Sequence, residues 1–127
     1  MIKTLAVATF ATLLASPAFA ADVRGEIVNA IEHAQYSAEA VSMGEVRAHL
    51  HHALNCIVGP GGNGFDSREM NPCAGSGNGI IPDTSDPARR ARLETAAAKA
   101  REGLATDDMA KAKADAAFVA NVLKGLK

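Results

Sequence analysis

No stretch of this sequence is long and apolar enough to span a bilayer: the most apolar run, Leu5–Leu14, covers ten residues, where a spanning helix needs about 20. No membrane anchor is therefore expected. Basic charge is not in excess either, with 13 Lys and Arg against 14 Asp and Glu, so neither nucleic acid nor anionic lipid finds an electrostatic footprint. Cysteine is scarce, only Cys56 and Cys73, and no Cys-x-x-Cys pair exists. That removes a dithiol redox motif and the Cys-x-x-Cys-His attachment of a c-type haem. The chain also lacks a Gly-x-Ser-x-Gly elbow, a His-Glu-x-x-His pair and a Gly-x-x-x-x-Gly-Lys phosphate loop. An enzyme is the least expected class.

What is present starts with an export signal. Lys3 precedes the apolar run, and Ser16-Pro17-Ala18-Phe19-Ala20 closes it with the small residues of a cleavage site, so residues 1–20 read as a secretory signal peptide. Removal leaves residues 21–127 as one domain, in a periplasmic or secreted location. In that oxidising setting Cys56 and Cys73 are expected to form a disulfide closing a loop of 16 intervening residues. A pair of thiolate metal ligands is the alternative and would require a reducing environment.

Helical periodicity fills most of the mature chain. Val23, Ile27, Ala30, Ile31, Ala34, Ala38 and Val41 recur every three or four residues, a first helix from Asp22 to Val41. Ser42-Met43-Gly44-Glu45 follows as a turn, with Ser and Glu spaced as in a capping box. Val46, Leu50, Ala53, Leu54 and Ile57 then carry a second helix. From Gly59 to Gly79 the composition changes to seven glycines, two prolines and three asparagines, the makings of a long loop taken to span residues 59–85. Asp86-Pro87 opens a third, alanine-rich helix, and Thr106-Asp107-Asp108 caps a fourth ending in basic residues. Short links within each pair predict two antiparallel hairpins, hence an all-α four-helix bundle whose halves are joined by the braced glycine-rich loop.

All four histidines fall in the first hairpin: His33 on helix one, and His49, His51 and His52 on helix two. Folding back about a turn near Met43 sets His33 level with His49 and His52, which at i and i+3 share one helix face. His51 points elsewhere. Three imidazoles suit copper or nickel first, and zinc as well. Glu32, Glu26 and Asn29 offer oxygen as a fourth ligand or as a partner for a ring's second nitrogen. Glu32 and His51 are the weaker ligand candidates. His-x-His-His is equally the composition of a solvated helix face. Met43 and Met70 could add thioether ligands, but packing explains both, and Asp66 with the loop asparagines reads as turn chemistry.

The segment His33-Ala34-Gln35 with Ala38, then His49-Leu50-His51-His52-Ala53, resembles the small periplasmic histidine-rich metal-binding helical-bundle proteins. The resemblance covers the first hairpin alone. That family repeats its histidine motif along several helices, whereas helices three and four here have no histidine. What it implies is divalent metal binding for buffering or delivery, touching His33, His49 and His52.

The expected function is thus a periplasmic carrier of one divalent ion, whose partner is that ion and a second periplasmic protein receiving it. Two other classes stay open. One is a structural or interaction module docking through the loop Gly59–Ile80, where Phe65 and Met70 are apolar anchors; the other is a bundle holding b-type haem through one His and one Met.

Overall fold

In the computed structural model, which describes residues 19–127, each long helix begins at a side chain suited to cap it. Asp22 accepts the amide of Gly25 and opens α1, Val23–Glu39. Ser42 and Glu45 form a reciprocal capping box at the start of α2, Met43–Val58, which satisfies two amides left free at a helix N-terminus. Met43, Gly44 and Glu45 are thereby drawn into the first turn of α2 instead of forming a separate turn. Beyond the loop comes α3, Ile80–Asp83, a single helical turn inside the segment expected to be irregular throughout. Asp86 caps α4, Pro87–Ala105, with Pro87 at its first turn, and Asp108 caps α5, Met109–Lys124. The chain is all-helical, with no strand among the described residues. The proposed leader, apart from Phe19 and Ala20, lies outside the described residues.

α1 packs against α2 and α5, and α4 packs against α5 and α2. Alanines let these axes approach: Ala30, Ala34, Ala53, Ala96, Ala97, Ala100, Ala112 and Ala116 have no solvent exposure. Leu50, Leu54, Ile57, Leu93 and Leu123 supply the larger buried side chains, each contributing about 1.5–3 kcal/mol of apolar burial. No described helix is long and apolar enough to cross a membrane.

The register of the first hairpin is set by a buried bond: the Ser37 hydroxyl donates to the Val46 carbonyl at 2.7 Å. Lys113 of α5 donates to the Ala40 carbonyl at the bend, and Arg47 of α2 reaches the Thr106 carbonyl and Asp107 at the α4–α5 link. These contacts tie both helical bends to the neighbouring hairpin.

The segment between α2 and α3 is a held structure. Cys56 and Cys73 are disulfide-bonded, with Cα atoms 5.2 Å apart, and both are buried. Asn55, itself fully buried, clamps the loop from inside. Its amide donates to the carbonyls of Asp66 and Met70 at 3.0 and 3.1 Å, and its oxygen accepts the Asp66 amide at 2.9 Å. At the loop's mouth the two strands of backbone touch at Gly59 (φ 70°) and Gly79 (φ 115°), where a Cβ on Gly59 would stand 1.8 Å from the Asn78 carbonyl oxygen. Only glycine fits that crossing.

Candidate metal centre

One helical turn from the Ser37–Val46 bond, His33 of α1 faces His49 of α2. Their Nδ1 atoms are 3.3 Å apart. His52, one turn further along α2 on the same face, completes the group: its ring centroid is 5.1 Å from that of His33 and 5.5 Å from that of His49. One nitrogen from each ring can be chosen so that all three lie within 4.8 Å of one another. His33 and His49 are half-buried, while His52 is 8% exposed. The group is thus closed on the core side and open on the other.

Burial and mutual proximity favour the neutral form of His33 and His52. The pKa of His33 is lowered first by desolvation, then by His52 and His49, with Glu32 opposing. That of His52 is lowered by desolvation and by His49, with Glu69 opposing. A neutral imidazole presents one bare nitrogen, the form a metal ion requires.

His52 has an incomplete hydrogen-bond inventory. Its Nε2 lies 3.4 Å from Glu69 Oε2, an ion-pair distance, and a carboxylate facing Nε2 favours the tautomer that carries the ring proton there. Nδ1, like that of His51, is buried with no partner among the described residues, and the Nε2–H tautomer would leave it a bare lone pair. A buried acceptor left without a donor costs about 1–3 kcal/mol.

Tyr36 stands beside the group, its ring 5.3 Å from that of His49 and 5.8 Å from that of His33. Its hydroxyl donates to Glu32, which raises the phenol's pKa and holds the side chain over the rings. Glu32 is therefore engaged with Tyr36 and is not in the histidine group, and neither is His51. Glu26 and Asn29 do other work than offering oxygen to an ion. Glu26 Oε1 accepts the Gly79 amide at 2.9 Å, and the Asn29 amide donates to the Pro72 carbonyl at 3.3 Å. Both fasten the loop to α1.

Glu69 and Tyr36 were not anticipated from the sequence. Tyr36 carries a readable signal, since it follows His33 by three residues on one helix. Glu69 carries none, because it reaches His52 only through the fold of an aperiodic loop. Phe65 packs against the core, whereas Met70 is 58% exposed. A groove of about 510 Å³ lies at the other end of α1 among Val23, Arg24, Thr84, Arg89 and Leu126, and no histidine lines it. The chain matches no protein family, no curated protein and no solved structure.

Proposed function

We propose that this protein is an exported carrier of one divalent transition-metal ion, bound by His33, His49 and His52 on a four-helix-bundle scaffold. The observation that carries the reading is the convergence of three imidazoles within 4.8 Å, one of them with a buried, unpartnered Nδ1. Imidazole nitrogen suits copper(II), nickel(II) and zinc(II), and intrinsic affinity peaks at copper. Spacing adds a second criterion. With metal–nitrogen bonds of about 2.0–2.1 Å, neighbouring nitrogens of a tetrahedral site stand roughly 3.3–3.4 Å apart, against about 2.9 Å for a square-planar one. The 3.3 Å between His33 and His49 Nδ1, a hydrogen-bond distance before an ion enters, needs little change to become a tetrahedral edge.

Three protein ligands leave one position for water or for a donor from a receiving protein. The half-buried rings of His33 and His49 give that position access from outside. Such a site suits an ion that is held and then handed on. A periplasmic or secreted setting is supported by the Cys56–Cys73 bridge, since disulfides persist in oxidising compartments, and by the leader-like first 20 residues. The histidine-rich periplasmic metal-binding proteins remain the family this hairpin resembles.

The test is elemental analysis of untagged protein purified from the cell envelope. One equivalent of copper, nickel or zinc per chain is expected. Metal content at the level of a His33→Ala, His49→Ala, His52→Ala triple variant would remove the proposal.

A further inference from the structure

Nothing in α2 itself selects which nitrogen of the His52 ring carries the proton; the acidic group that faces Nε2 lies 17 residues on, in the loop. Glu69 Oε2 stands 3.4 Å from His52 Nε2, outside the group of three close ligand nitrogens. Two independent anchors hold the loop against α2 at that place. Asn55 lies less than one turn from His52 and binds the backbone on both sides of Glu69, at Asp66 and at Met70. Cys56, the next residue, bonds to Cys73 just beyond. Arg68, next to Glu69, is locked to Asp66 through Nε and Nη2 at 3.0 and 2.9 Å. The residues on either side of Glu69 therefore have fixed backbone positions, and its carboxylate is directed at one nitrogen of one ring.

Resting on the carrier reading, we infer that Glu69 is a positioning residue of the metal site: it accepts the His52 Nε2 proton, fixes the ring so that Nδ1 is the ligating atom, and raises that atom's basicity. The disulfide-braced loop is then the outer half of the metal centre. A carboxylate behind a ligating imidazole orients the ring and increases its donor strength, and removing such a partner ordinarily costs 10–100-fold in metal affinity. The 3.4 Å contact is longer than a strong charge-assisted bond of about 2.7–2.9 Å.

The experiment uses the purified, disulfide-bonded protein titrated with zinc(II) chloride, with ¹⁵N shifts of the His52 ring recorded before metal is added. Glu69→Ala should weaken zinc binding about 10–100-fold and shift the metal-free His52 ring away from its Nε2–H form. Glu69→Gln, whose amide oxygen accepts the same proton without the charge, should restore the tautomer and part of the affinity. Unchanged zinc affinity in Glu69→Ala, or weakened affinity with the His52 tautomer unaltered, would overturn the inference while leaving the carrier reading intact. Failure of the parent protein to bind zinc, copper or nickel removes the carrier reading, and with it the metal role of Glu69.

Discussion

His33 Nδ1 and His49 Nδ1 lie 3.3 Å apart across the first hairpin, a hydrogen-bond distance in the metal-free protein and close to the edge of a tetrahedral coordination sphere. The separation follows from the register bond between Ser37 and Val46 and from the fully buried Ala34 and Ala53, which let the two backbones come together at that level. With the His52 ring beneath them, the third side of the group is already within 4.8 Å. Binding an ion would draw these nitrogens closer, toward the tetrahedral spacing.

Proton competition gives a first expectation. His33 and His52 have folded pKa values lowered from 6.5, so the unfolded chain takes up their protons first as pH falls. Their contribution to stability is fully present above about pH 6.5 and is lost as pH falls through the lower folded values. The urea midpoint of metal-free protein should drop more between pH 7.5 and 5.5 than that of a His33→Gln, His52→Gln variant. Equal drops would show that the rings are not held neutral.

Glu26 has the opposite sign. Its pKa is raised from 4.5, first by burial and then by Asp83 and Asp22, against the Gly79 amide that lowers it. The group therefore contributes stability below pH 4.5 that is lost as pH rises through its folded value. Glu26→Gln keeps an oxygen for the Gly79 amide, supplies a donor toward Asp83 and removes the charge. Denaturant unfolding at pH 7.5 should show a gain of about 0.5–1.5 kcal/mol, the scale of one net hydrogen bond, and that gain should vanish by pH 4.

The loop's two clasps are separable. Replacing Cys56 and Cys73 by Ser should destabilise the protein by about 3 kcal/mol, the chain-entropy contribution of a loop of this length, measured by urea unfolding of oxidised parent against variant. Gly59→Ala should cost at least about 1–3 kcal/mol from its backbone conformation alone, with the clash against the Asn78 carbonyl added. A Gly59→Ala protein with parental stability would show that the loop does not close on Gly79 as described.

Features set by near neighbours in sequence were legible before the fold was known. The Ser42–Glu45 box, the Asp86-Pro87 start and the Asp108 cap each depend on three or four consecutive residues, and the i, i+3 spacing of His49 and His52 places both on one face. The hairpin then brings in His33, because a short bend leaves few registers. Glu26 and Asn29 were weighed as oxygen donors because nothing local shows that they bind Gly79 and Pro72. α3 escaped notice because Ile80–Asp83 makes a single turn, too short for any periodicity to appear. Glu69 was missed for the same physical reason on a larger scale: its position is dictated by Asn55 and the disulfide, and contacts of that range leave no pattern in the chain.

Calorimetric titration of the metal-free protein with zinc(II) and copper(II) at pH 7.5, run beside single His33→Ala, His49→Ala and His52→Ala variants, addresses the metal centre head-on. The expected result is one ion per parent chain, with binding lost or strongly weakened in each of the three variants and retained in His51→Ala. An affinity indifferent to all three substitutions would contradict the metal centre.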